Sequence, residues 1–437
     1  MRTTMNLTPA SSAPPGSGGI NPARCWVIVI LLALASVIAY IDRVNLSIAL
    51  IGGAFKTFFQ LSNTDRGLLN SAFFWSYALL QIPAGWAVDR YGSKYPIAIG
   101  FAVWSFFTIL TAFTTGFASL FAVRLLLGLG EAVIHPASMR WIRYNFSDRR
   151  RGLAIGVFMS GSKFGPAVGA VLAALLIGRY GWRAMFMTLG LASMLWLIPW
   201  LFLVRNDHGS ARFNASSVGA ATIPMSKILA SPVLWGTVIG TFCYMYFVYF
   251  CLTWMPAYFS EARGLSVGSS SLFTTFSFAG MAVVAIIGGA AADALIARGY
   301  PATTVRRAFT IAGFLLASTA LIGAFSRSLD VALTISVLSL SGLGLATANY
   351  WALTQTLLPA PVVGRVIGIQ NFAASASGIV APILSGWLVD RTGAYRAPMV
   401  TVTFFLILGV AVYVFLVREK YAPEFGVTTP YAPRIDP

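Results

Sequence analysis

Acidic residues are scarce in this chain, with 13 Asp and Glu against 30 Lys and Arg in 437 residues, and only two histidines and three cysteines. That inventory argues against a disulfide framework or a cysteine–histidine metal site. Cys25, Cys243 and Cys251 each lie in apolar segments without ligand spacing and read as small core residues. Charge of either sign totals 10 %, where a soluble protein carries roughly 25 %. A phosphate-binding loop and a nucleophile–base pair are also lacking, and the Gly-rich pairs fall inside apolar runs. We therefore expect neither an enzyme nor a bound cofactor or metal.

What is abundant is apolar sequence. Hydrophobic residues make up 57 % of the chain, and apolar stretches near the ~20 residues needed to cross a bilayer recur along its length. This is the composition of a multi-pass membrane protein. The net charge of +17 could suggest nucleic acid, but the basic residues are scattered over the loops between spans. Most fall on the N-terminal side, so the positive-inside rule accounts for them and places both termini in the cytoplasm. The expected location is the plasma (inner) membrane.

Residues 1–24, rich in Ser, Pro, Gly and Thr, read as a disordered tail. A cleaved signal peptide fits less well, because the apolar run that follows continues past any cleavage point. Expected spans are 25–51, 68–88, 96–115, 118–139, 153–177 and 184–204, then 232–255, 269–291, 308–325, 331–357, 366–388 and 397–417. The fold class is all-α, twelve transmembrane helices in two pseudo-symmetric six-helix halves. The halves are 25–204 and 231–418, joined by a polar cytoplasmic linker, 205–230, and followed by a tail, 419–437. Internal repetition supports the halves: Gly152-x-x-x-Gly156 recurs as Gly364-x-x-x-Gly368, and Arg179-Tyr180-Gly181 as Arg391-Thr392-Gly393.

The loop after the second span reads Gly85-Trp86-Ala87-Val88-Asp89-Arg90-Tyr91-Gly92-Ser93-Lys94. Acid and base at a helix end can pair with a neighbouring terminus, and the glycines permit a tight turn. Its Gly-x-x-x-Asp-Arg-x-Gly-x-Lys pattern resembles the signature of the major facilitator superfamily, in its usual place. The resemblance implies a conformational latch formed by Gly85, Asp89, Arg90, Gly92 and Lys94. A degenerate counterpart, Gly289-Ala290-Ala291-Ala292-Asp293, sits in the second half.

Charge within the spans is the sharpest signal. Tyr40-Ile41-Asp42-Arg43-Val44-Asn45 closes the first span, and Arg124 and Glu131 share the fourth. Each such charge near the bilayer centre costs roughly 2.5–3.5 kcal/mol on insertion scales, which marks a polar cavity or a partner. Arg124 and Glu131, seven residues apart, project within about 20° of each other on a helix. His135, near a helix end before Pro136, reads as a packed residue. Lys163 lies mid-span in Ser160-Gly161-Ser162-Lys163, too far from either end to snorkel. Two acids and three bases leave one excess cation, as an anion site requires. A static ion-pair network that fixes helix packing is the alternative, and for Lys163 that means a structural partner in Asp42 or Glu131.

Asp42-Arg43, Arg124-x6-Glu131 and Leu252-Thr253-Trp254-Met255-Pro256-x-Tyr258 together resemble the anion:cation symporter family of the superfamily, which moves sugar acids and other organic anions. The resemblance covers about 25–420. It implies that Arg43 holds the substrate carboxylate, that Tyr40 and Asn45 line the site, and that Asp42 and Glu131 are the proton-coupled acids with Arg124 tuning or holding Glu131. It also implies that Trp351 and Asn371 contact the substrate; Tyr77 and Tyr244 are further lining candidates. Lys163 would be a second cationic point for a dicarboxylate or aldarate. Ala348, small where some sugar-acid carriers hold a hydroxyl, and the aromatic seventh span keep an aromatic carboxylate open as cargo. A receptor without transport is a third reading, and it leaves the excess buried cation unexplained. The expected partners are a small organic anion, protons and the lipid bilayer, with no nucleic acid and a monomeric carrier.

Overall fold

The computed structural model describes residues 22–146, 148–205, 225–358 and 360–422. The tails expected at 1–24 and 419–437 and the linker expected at 205–230 lie largely outside these residues. Of the linker, Met225–Leu229 is a short helix.

Among the described residues the architecture is helical throughout. Ten stretches are long and apolar enough to cross a membrane. One of them, Arg150–Leu203, is 54 residues long and turns at Gly181, whose φ of +79° interrupts the helix. We treat its arms as two crossings. A twelfth, Asn63–Tyr91, is 29 residues and therefore about 43 Å long, ample for a bilayer. Its hydropathy is low for a spanning helix because it carries Asn63, Asp65, Arg66, Asn70, Gln81, Asp89 and Arg90. In chain order the crossings are α1 (Pro22–Ala49), α2 (Asn63–Tyr91), α3 (Lys94–Thr111), α4 (Phe117–Glu131, continued by Ile134–Asn145), α5 (148–180) and α6 (182–203). The second half supplies α7 (Pro232–Thr253), α8 (Val267–Ala297), α9 (Ala302–Ser318, continued by Ala320–Phe325), α10 (Leu329–Leu357), α11 (Ala360–Thr392) and α12 (Arg396–Phe415).

An even number of crossings brings Pro22 and the end of α12 to one face of the bundle, here the terminal face; the opposite one is the far face. Within the first half, α5 packs along α1 through Gly161, Gly165 and Gly169, spaced four apart on one ridge. A Cβ at these positions would fall on Ser36, Tyr40 and Val44 respectively at 2.4–2.8 Å. Small residues at that spacing allow the backbone approach on which membrane helix packing depends.

The halves meet along two helix pairs, α2 with α11 and α5 with α8. Toward the far face these contacts are tight. A Cβ on Gly67 would strike the Pro382 carbonyl, one on Gly386 the Asn63 carbonyl, and one on Gly378 the Phe74 ring. Thr275 of α8 donates to the Ala167 carbonyl of α5 at 2.6 Å. Toward the terminal face the same stripes part, and a Cβ on Gly85, Gly152, Gly156 or Gly368 would meet nothing within 4 Å. The halves are closed at the far face and splayed at the terminal face.

Candidate functional site

The charged residues of α1 and α4 meet in the closed part of the bundle. Arg43 donates from Nε and Nη2 to the same oxygen, Oε2 of Glu131, at 3.1 and 2.7 Å. Both residues are buried. Three rings enclose the guanidinium, with Tyr40, Phe73 and Tyr77 centred 4.4, 4.5 and 5.0 Å from Arg43 Cζ. Aromatic faces stabilise a cation held away from water, the more so as it is desolvated. Asn45 donates to Asp42 Oδ1 at 3.1 Å, and Arg124 reaches the Asp42 carbonyl at 3.3 Å. Glu131 Oε1, Asp42 Oδ2, Arg124 Nε and Asn45 Oδ1 are buried with no hydrogen-bond partner among the described residues. Buried polar atoms of this kind require a partner, which ordered water or a ligand can supply.

Of the two roles expected for Arg124, tuning or holding Glu131, the direct hold is not made: Arg43 pairs with Glu131 from α1, and Arg124 reaches the α1 backbone. Seven residues share a face but stand about 10.5 Å apart along the axis, too far for direct pairing. The regular part of α4 also ends at Glu131, which leaves that carboxylate at a break, open to the neighbouring helix.

Lys163 is half-buried and has neither an ion pair nor a hydrogen bond among the described residues, so the structural pairing with Asp42 or Glu131 is not made. Its neighbours Gly161 and Gly165 press on α1, and Ala167, four residues on, faces α8. Lys163 thus lies beside the seam between the halves. His135 has its ring 5.6 Å from Phe158.

In the second half, the Tyr244 hydroxyl is bonded to Thr347 at 2.7 Å and its ring lies 4.7 Å from Tyr350. Tyr246 instead packs toward α12, 4.3 Å from Phe405. Trp351 is half-buried against Tyr350. Asn371 donates to Gln81 of α2 at 2.9 Å, bridging the halves. Its amide is therefore committed to a cross-half contact in this state rather than presented to a ligand. Sequence reasoning missed Gln81, Phe73 and Tyr350. Gln81 follows Tyr77 by one helical turn on α2, a pattern that could have drawn attention to it. Phe73 and Tyr350 are indistinguishable from core residues without the fold.

The residues expected to form a latch sit at the terminal face. Asp89 pairs with Arg140 of its own half at 2.9 Å. Arg90 lies over the Trp86 and Tyr91 rings, Gly92 closes α2 with φ +78°, and Lys94 offers its carbonyl to Trp200. Gly85 faces open space.

Residues 32–382 match the Major Facilitator Superfamily. The chain belongs to that superfamily. It is a multi-pass membrane transporter and not an enzyme. It is 31 % identical over 423 residues to a probable galactarate/D-glucarate transporter of Bacillus subtilis (strain 168), covering 90 % of this chain and 91 % of the relative. It is also 31 % identical over 406 residues to a hexuronate transporter of the same organism, covering 90 % and 94 %. Among solved structures, a bacterial homolog of the human lysosomal transporter Spinster, in an inward-facing and unoccupied conformation, shares the fold. That match has a TM-score of 0.79 at 18 % identity over 93 % of this chain and 100 % of the other. The sugar-acid names of these superfamily relatives accord with the resemblance to the anion:cation symporter family.

Proposed function

We propose that this superfamily transporter imports a small organic anion, a sugar acid or dicarboxylate, together with protons by alternating access. The observation that carries the reading is the Arg43–Glu131 pair. A guanidinium already gripping a carboxylate inside the membrane can exchange it for the carboxylate of a substrate. With Glu131 ionised, its carboxylate occupies the Arg43 guanidinium. Protonating Glu131 neutralises the competitor and releases Arg43 to a substrate carboxylate entering the aromatic cage of Tyr40, Phe73 and Tyr77. Anion and proton then bind in support of each other, which is the condition for symport. Asp42, held by Asn45 and lying beside Arg124, is the second proton-accepting acid. Asn371 and Trp351 close the site from the other half once the Asn371–Gln81 contact rearranges.

Lys163 favours a cargo with two anionic groups, since it is a half-buried cation without a partner among the described residues. The aromatic wall supports a second reading, an aromatic carboxylate stacked on the same rings. The excess of Lys and Arg in the terminal-face loops supports a cytoplasmic terminal face in the inner membrane, which makes the splayed state inward-facing.

The test is uptake by proteoliposomes of a labelled aldarate, a sugar monoacid and an aromatic carboxylate, with and without an inward proton gradient. Gradient-driven accumulation of one of them, abolished in Arg43→Gln, is the expected result. Accumulation indifferent to the gradient would remove the proton role of Asp42 and Glu131. No uptake of any anion by folded protein would remove the cargo class.

A further inference from the structure

The latch segment has a second copy. Gly85-Trp86-Ala87-Val88-Asp89-Arg90-Tyr91-Gly92 at the end of α2 matches Gly386-Trp387-Leu388-Val389-Asp390-Arg391-Thr392-Gly393 at the end of α11 at six of eight positions. Both copies close their helix in the same way. Gly92 and Gly393 take positive φ, +78° and +65°, and return their N–H to Val88 and Val389 at 2.9 and 2.8 Å. Because α2 and α11 run in opposite directions and pack together, the copies stand at opposite faces of the bundle. The α11 copy meets the first turn of α2 at the far face.

There the Asp390 carboxylate caps a helix belonging to the other half. Oδ1 accepts from the Asn63 backbone N–H at 3.1 Å and its side-chain amide at 2.8 Å. Oδ2 accepts from the Thr64 backbone N–H at 2.7 Å and its hydroxyl at 2.6 Å. These backbone groups are among the orphan donors of a helix N-terminus, where partial positive charge favours a carboxylate. α2 has its own capping box between Ser62 and Asp65. Asp390 is therefore an addition from outside rather than the cap on which the helix depends. Beside it, Arg66 spans both oxygens of Glu261 at 2.9 and 3.1 Å and donates to Asn63 Oδ1 at 2.8 Å, while Tyr395 donates to Glu261 at 2.8 Å. Glu261, Tyr395 and Asp390 belong to the second half, Asn63, Thr64 and Arg66 to the first. At the terminal face the other copy, Asp89, pairs inside its own half with Arg140.

We infer that Asp390 is a far-face clasp, a carboxylate from one half capping α2 of the other, that holds the transporter in the terminal-open state and must release before the far face can open. All four of its bonds cross between the halves, and separation of the far-face ends breaks every one. A contact present in only one of two conformations biases the equilibrium by its full differential free energy. Two of its partners are backbone N–H groups and two are the Asn63 and Thr64 side chains, so the clasp depends on Asp390, on the glycine turn that aims it and on those two polar residues.

The test uses the full chain in lipid nanodiscs with spin labels at Thr57 and Arg327, across the far face, and separately at Leu153 and Tyr300, across the terminal face. Asp390→Ala is expected to raise the ratio of far-face-open to terminal-open molecules roughly tenfold, the scale of one charge-assisted hydrogen bond. The Thr57–Arg327 distance lengthens and the Leu153–Tyr300 distance shortens in the emerging population. Thr64→Asp is the second variant. It keeps an acid at the α2 N-terminus, which favours the helix, but opposes Asp390 with like charge, and it should shift both distances in the same direction. Glu419→Ala, which removes an exposed acid after the end of α12, should leave both distributions unchanged. Unaltered distances in Asp390→Ala and Thr64→Asp would overturn the inference, and so would an equal shift in Glu419→Ala.

Discussion

Arg43 places two nitrogens on one oxygen of Glu131 and leaves the other oxygen bare. A bidentate pair would occupy both oxygens; this one holds the carboxylate by one side only. The grip couples α1 to α4 at the break that ends the regular part of α4, and it sets the competition from which transport is expected to arise.

Glu131→Gln removes the charge that competes with substrate while preserving shape. In purified protein, anion affinity should become nearly independent of pH. In the parent it should weaken by up to about tenfold per pH unit once Glu131 is ionised, because binding then carries a proton with it. Accumulation driven by a proton gradient should be lost in this variant while counterflow exchange persists. Calorimetric titration at several pH values and paired uptake assays check both outcomes.

Arg43→Lys keeps a positive charge but supplies a compact ammonium that cannot place two nitrogens on one oxygen from the same rotamer. Uptake should fall at least about 30-fold, the low end of the cost of breaking a buried charged pair. If the variant transported like the parent, a point charge would suffice and the cage geometry would be irrelevant.

Lys163→Gln should discriminate between cargoes. Affinity for a dianion is expected to drop about tenfold, the scale of a hydrogen bond to a charged group, with little change for a monoanion. Competition binding with a matched aldarate and aldonate measures the ratio, and an equal loss for both would assign Lys163 to the general field of the cavity.

Gly165→Val should cost folded protein rather than selectivity. Its Cβ would lie 2.4 Å from that of Tyr40, so α5 must move off α1, and overpacking of this kind costs about 1–3 kcal/mol. Thermal unfolding in detergent should show a lowered midpoint. Gly152→Ala, on a different face of α5 where a Cβ meets nothing within 4 Å, should leave the midpoint unchanged.

Much of this is legible in the sequence. The apolar runs marked the spans, 68–88 among them, and the Gly-x-x-x-Asp-Arg pattern marked the end of α2 and the turn after it. Asp42, Arg43, Arg124, Glu131 and Lys163 stood out because charge in a membrane is expensive wherever the helices go. Partner choice was not legible. Spacing along α4 suggested that Arg124 meets Glu131, yet shared azimuth does not remove the axial separation, and Arg43 on another helix was closer. Asn371 and Gln81 offered no clue to each other, being 290 residues apart in different halves. Nor could the Asp390 cap be read, since half of its donors are main-chain groups and all lie 326 or 327 residues away in the other half.

The sequence by itself determined that this chain threads a membrane repeatedly, which charges are carried inside it, and that its halves are related. Those properties follow from local composition, helical periodicity and the cost of burying charge. Only the tertiary structure decided which base holds which acid, that Lys163 stands without a partner among the described residues, and which face is clasped shut. The distance between side chains on different helices depends on how glycine ridges let those helices approach and how the two halves are set against each other, and no single helix encodes either.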